Sequence, residues 1–137
     1  MTALAGDRTT PKRNAHRLSL PVAANALIYA GALVCVSATG FATKGAVATT
    51  LKSAGVAQQR VDNTGGADGA VRIEVDRSGA HQFANSASTD QITLADLGAA
   101  VFIVDDQTVA KTNGGGTRSQ AGYVVDVDAT GVWIRFD

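Results

Sequence analysis

Three features of this 137-residue chain predict an all-β fold, a small β-barrel or β-tulip-like sandwich of short antiparallel strands. Apolar and polar residues alternate with a period of two in short runs, most cleanly over 71–76 and 122–137. Turn-forming residues separate the runs at short, fairly regular intervals. Glu74 is the sole glutamate, so formers of exposed helix are scarce while Gly, Ala, Val and Thr dominate.

The first twenty residues are polar, basic and without either period, and read as an extended N-terminal arm. A frayed terminus is the plainer reading of the same residues. Residues 21–137 are long enough for one β-rich domain with a single core. Strands are expected at 26–29, 33–36, 41–43, 55–61, 71–76, 81–84, 101–104 and 108–110. Thr93 as a cap and Gly98 as a terminator suit one short helical turn over 93–98. The unbroken apolar run 101–104 predicts a strand buried on both faces. The Gly114-Gly115-Gly116 stretch within 112–119 predicts a mobile loop, and 62–69 is a loop by composition.

The last sixteen residues read as a hairpin. Pairing Val127 with Val132, Val125 with Ile134 and Tyr123 with Phe136 turns only apolar side chains inward. That register leaves 128–131 as a four-residue loop. It also places Trp133 outward, opposite Asp126, with Arg135 on the same face. A lone outward tryptophan is expected to be covered, either by its own chain or by a partner.

Composition excludes several kinds of chemistry. Formal net charge is zero, giving no overall attraction to nucleic acid. The charge is unevenly placed: seven Lys/Arg face one Asp in residues 1–60, and five face eleven acidic residues in 61–137. Such a split favours head-to-tail contact. His16 and His81 lack partners at metal-ligand spacing. Asp62 and Asp68 miss the alternate spacing and terminal Glu of a calcium loop. The triple glycine has no strand–loop–helix context for phosphate binding. The pairs Asp105/Asp106 and Asp126/Asp128 are read as solvated charge. No serine sits in a nucleophile elbow, so no enzyme, cofactor or metal is expected. Cys35, between Val34 and Val36, is expected to be a buried, inert thiol. Basic residues ahead of the apolar run 18–37 resemble an export signal, but Pro21, Asn25 and Gly31 interrupt it, so no membrane segment is expected.

Several segments in order, Ile28-Tyr-Ala-Gly-Ala-Leu-Val34 with Thr39-Gly-Phe41, Val61-Asp-Asn-Thr-Gly-Gly-Ala-Asp-Gly69, Phe83-Ala-Asn-Ser86, Ile92-Thr-Leu-Ala-Asp-Leu-Gly98, Val101-Phe-Ile-Val-Asp-Asp-Gln-Thr-Val109 and Ala121-Gly-Tyr-Val-Val-Asp-Val-Asp-Ala-Thr-Gly-Val-Trp133, resemble the capsid-cement (head decoration) proteins of tailed bacteriophages. The resemblance spans about residues 25–136 and leaves the arm outside it. It implies a non-enzymatic virion protein on the capsid exterior, made in the host cytoplasm, which bridges major-capsid subunits. It also implies a homotrimer and no nucleic-acid or membrane partner. Arg8, Lys12, Arg13 and Arg17 on the arm, with Trp133 and Arg135 on the hairpin, are the expected partner-binding residues, and strand addition is the expected mode for the arm. The alternative is a secreted or surface-displayed, adhesin-like β module.

Overall fold

The computed structural model describes residues 2–136. Met1 of the arm and Asp137 at the chain's end lie outside the described residues. In chain order the strands are β1 (Arg17–Pro21), β2 (Leu27–Ile28), β3 (Leu33–Val36), β4 (Ala42–Lys44), β5 (Lys52–Ala57), β6 (Val61–Asp62), β7 (Arg72–Asp76), β8 (His81–Asn85), β9 (Ala100–Ile103), β10 (Thr108–Ala110), β11 (Gln120–Asp128) and β12 (Gly131–Arg135). Two single 3₁₀ turns, Ser88–Asp90 and Leu94–Asp96, are the helical pieces among the described residues. The second has the expected Thr93 cap, completed as a capping box by Asp96.

The strands form three groups. An antiparallel sheet runs β1-β7-β5-β3-β4, and β2 pairs with β6 as a separate ribbon. The remaining five close into a barrel in the order β10-β8-β12-β11-β9. The protein is therefore all-β, and among these pairings β10 with β8 is parallel. Closure removes the barrel's free edges, so every barrel strand has two partners.

The sheet and the barrel meet on β3. Leu33 and Cys35 turn to one side and join Phe83, Val101, Ile103, Val109, Val132 and Ile134 in the barrel cluster. Val34 turns to the other side and packs with Val22, Ile28, Ala42, Ile73 and Val75. Length predicts a single core; the apolar residues instead divide into two clusters with β3 as their shared wall. Burial pushes the Cys35 thiol up to about 12, so it stays protonated and unreactive.

A bulge fits β5 to its neighbours. Val34 pairs with Gly55 and Cys35 with Ser53, which leaves Ala54 as the extra residue. Gly55 takes φ +147°, and a Cβ there would stand 2.5 Å from the Asp76 carbonyl oxygen. A side chain at 55 would force β7 away from β5.

Several strand expectations shift. β1 begins at Arg17, inside the segment read as arm, because Leu18 and Leu20 find apolar cover against the second cluster. The strand expected over 55–61 lies at Lys52–Ala57, with β6 as a separate piece. β9 buries Val101 and Ile103 but leaves Phe102 half-buried, since one of its faces lies outside the barrel, and Val104, just past the strand, is half-buried too.

The loop 62–69 is tied down by one buried side chain. Asn63 Nδ2 donates to the carbonyls of Ala23 (2.8 Å), Ala67 (3.0 Å) and Val22 (3.4 Å). Asp68 Oδ1 accepts from Ala24 N–H at 2.8 Å, and Asn25 Oδ1 from Gly65 N–H at 2.8 Å. Asn63→Ala is expected to lower stability by about 1–3 kcal/mol, because it removes the bonds that tie the loop to 22–24, although each carbonyl keeps a backbone N–H partner. Asn63→Asp should cost at least as much, since it sets carboxylate oxygens against those carbonyls. Denaturant unfolding of the two variants measures both, and an Asp variant as stable as the wild type would refute this role.

Candidate functional site: the arm, the sheet edge and the hairpin face

Residues 2–17 are exposed throughout, and 2–16 carry no strand or helix. Arg8, Lys12 and Arg13 thus lie on an uncovered arm. The arm joins the body at β1, an edge of the five-stranded sheet. Arg77 ties this root to the barrel: its N–H donates to the His16 carbonyl (2.9 Å) and its guanidinium to the Phe136 carbonyl (3.5 Å).

The edge itself is guarded. Bonds from Arg77 N–H to His16 and from Val22 N–H to Val71 show that even-numbered residues of β1 face β7. Arg17, Ser19 and Pro21 therefore present their backbone outward. Pro21 has no N–H to offer. Ser19 is capped by Arg72, whose Nη2 donates to the Ser19 carbonyl (2.6 Å) and whose Nε donates to Ser19 Oγ (2.9 Å). Arg13, Arg17, Ser19, Arg72 and Glu74 line a shallow groove beside this edge. Arg17 approaches Glu74 at 3.7 Å, with both side chains more than half exposed, so water screens the pair. Three guanidiniums against one carboxylate make the groove basic. Arg72 is the member that sequence reasoning misses, because a polar position in an alternating strand reads only as solvent-facing.

The hairpin corrects the expected register. Val127 does pair with Val132, and Asp126 stands opposite Trp133 as expected. A bulge between Val124 and Asp126 then slips the rest: Val124 pairs with Ile134, and Tyr123 with Arg135 rather than Phe136. Val124 is buried and Val125 is 41% exposed, the reverse of the expected assignment. The loop is also tighter, since Asp128 and Gly131 pair across it. Close packing sets this limit: a Cβ on Gly122 or Gly131 would collide with the carbonyl oxygens of Arg135 or Phe83.

Trp133 is half-buried and the arm does not cover it. Its Nε1 donates to Asp128 Oδ2 at 3.0 Å. Asp128 Oδ1 accepts from Thr130 N–H (2.8 Å), Gly131 N–H (3.2 Å) and the Thr130 hydroxyl. Gln82 Nε2 on the neighbouring strand β8 donates to Thr130 Oγ1. Arg135 lies over the Tyr123 ring at 5.0 Å. The outward face is thus a braced surface with an indole at its centre. Among the described residues, no three His, Cys, Asp or Glu side chains are placed to hold a metal ion. No helix among them is long and apolar enough to cross a membrane.

The expected partner-binding residues fall on two elements, with Arg8, Lys12, Arg13 and Arg17 at the arm and its root, and Trp133 and Arg135 on β12 of the barrel. No family model, curated protein or solved structure matches this chain.

The turn yields a pH prediction. The Thr130 hydroxyl, then Trp133 and the turn amides, hold the Asp128 carboxyl down to about 2 from its ordinary 3.8. A carboxyl that is the stronger acid when folded stabilises fully above its unfolded value and loses that contribution as pH falls through its folded one. Asp128→Asn should therefore lower Tm at neutral pH, and its gap from wild type should close between pH 3.8 and about 2. A gap that is constant with pH would assign the effect to packing instead.

Proposed function

We propose that this protein binds the outer surface of a tailed-phage capsid and cements it by bridging major-capsid subunits. The reading rests on the ordered resemblance of residues 25–136 to head decoration proteins. The observation that carries it is the uncovered basic arm, rooted beside a basic groove on a compact β body. Laid out fully, residues 2–16 reach roughly 50 Å. The arm has no apolar stripe with which to fold back onto its own chain. Its natural complement is an acidic surface on a neighbour.

Cementing needs little free energy per copy. A few kcal/mol at each site suffices, because many copies hold one shell and binding stabilises the bound state by mass action. Two separate surfaces suit bridging, with the arm reaching one subunit while the Trp133 face rests on another or on a second copy. A homotrimer at a three-fold position is the arrangement the resemblance implies, and the uneven charge favours its head-to-tail contacts. Virion exterior, and host cytoplasm before assembly, are the locations that follow.

The test is occupancy on purified capsids of the cognate phage, read by cryo-electron microscopy of the shell exterior. Replacing Arg8, Lys12 and Arg13 together by Ala should leave folding intact, since all three are exposed on a segment without strand or helix. Apparent affinity should fall at least about tenfold, and wild-type binding should weaken as salt shortens the Debye length below about 10 Å. Unchanged occupancy and salt-independent binding would remove the arm from the mechanism, and absence of exterior density would sink the reading. Trp133→Ala is expected to fold normally and to impair assembly. Loss of cooperative unfolding would instead make Trp133 a structural residue of the barrel.

A further inference from the structure

The loop joining β10 to β11 carries the chain's one Asn–Gly step, Asn113-Gly114. It is pinned, where its glycines predict mobility. Arg118 Nη1 bonds Asp90 Oδ2 (3.2 Å) and the Thr112 carbonyl (3.1 Å), and the Asn113 carbonyl accepts from both Thr117 and Arg118 N–H at 3.0 Å.

Four groups converge on the step. Gly116 N–H donates to Asn113 Oδ1 at 3.2 Å. Gly114 N–H donates to Thr112 Oγ1 at 3.4 Å, and that hydroxyl donates to Asp90 Oδ1 at 2.5 Å. The Arg118 guanidinium lies against Gly114, where an added Cβ would stand 3.2 Å from its Cζ and Nε. Gly114 takes φ +65°, and a Cβ would also meet Thr117 Oγ1 at 2.6 Å, so only glycine fits and no side chain shields its nitrogen. Asn113 itself is exposed to water.

We infer that this loop is a self-modifying site, at which the Gly114 amide nitrogen attacks the Asn113 side-chain carbonyl and converts Asn113 to aspartate and isoaspartate. The new bond joins Gly114 N to Asn113 Cγ. The nitrogen's proton passes to Thr112 Oγ1 as the Thr112 proton passes to Asp90. The carbonyl electron pair moves onto Oδ1, where the Gly116 N–H receives it. Collapse breaks Cγ–Nδ2, and the nitrogen leaves as ammonia with the proton held on Asp90. A five-membered succinimide remains. Water then adds at one of its two carbonyls. Opening the ring at Cγ gives aspartate, and opening it at the Asn113 main-chain carbonyl gives isoaspartate, with the main chain now running through Cβ and Cγ. Water is the sole co-reactant. The uncatalysed reaction is held back by the poor acidity of a peptide N–H and by the rarity of the reactive geometry, and the four groups act on both.

Either product adds a negative charge beside Asp90, and isoaspartate lengthens the main chain inside the pinned loop. The site depends only on the loop's geometry and is independent of the capsid reading.

The purified full chain, held warm at mildly alkaline pH, tests the inference by peptide mapping of position 113 and by ammonia release. Conversion is expected to be faster in the folded protein than in the same protein unfolded in urea. Thr112→Val should slow it at least roughly tenfold, and Thr112→Ser should keep the wild-type rate. Thr112 is exposed, so both variants are expected to fold. Slower conversion in the folded protein than in urea, or a Thr112→Val rate equal to wild type, overturns the inference.

Discussion

Water reaches neither face of most of β3, and the rest of the molecule is arranged to keep it so. Leu33, Val34 and Cys35 are fully buried, alternately on the barrel side and on the sheet side. A strand buried twice must be apolar at consecutive positions, and this one reads Leu-Val-Cys-Val. Each fully buried aliphatic side chain contributes about 1.5–3 kcal/mol, and β3 makes that contribution to two clusters at once. Sheet and barrel cannot separate without exposing both faces of the same strand. Two apolar clusters, each contributed to by β3, thereby act as one folding unit.

Where β structure ends, single polar side chains take over the work of packing. Asn63 closes the 62–69 loop onto 22–24, Asp90 and Arg118 close the glycine loop, and Asp128 closes the last hairpin. Each satisfies backbone groups that a strand partner would otherwise satisfy. The buried thiol of Cys35 and the closed barrel leave a body with little exposed reactivity. The exceptions lie in two places: the exposed basic arm and, on the inference drawn above, the Asn113-Gly114 step.

For the cementing role proposed above, this division of labour has a physical logic. A stiff body transmits load between the contacts it makes, and an arm that carries charge but no core can be ordered by a neighbour without disturbing that body. The Arg72 cap on Ser19 adds a constraint: the β1 edge beside the arm root does not accept a further strand unless Arg72 gives way. Contact through guanidiniums is therefore favoured over addition of a foreign strand at this edge.

Much of this was legible in residues alone. Alternation of period two located β7, β11 and β12, because one buried face imposes it, and unbroken apolar runs located β3 and β9. Thr93 and Gly98 marked the short helical turn, because cap chemistry is local. The run 33–36 announced a buried Cys35. The remainder depended on choices that a local pattern leaves open. Val124 and Val125 are equally apolar, so only the bulge between Val124 and Asp126 decided which one turns inward. Phe102 and Val104 are as hydrophobic as Val101 and Ile103, yet barrel closure left them on the outer side. Arg72 became an edge cap only when β1 was laid beside β7, and three glycines became a pinned loop only when Asp90 and Arg118 came together. Sequence determined which segments are strands and which are turns, through side-chain period and turn chemistry. Tertiary structure alone decided register, facing and the partners of each charge, because those are settled by contacts between residues far apart in the chain.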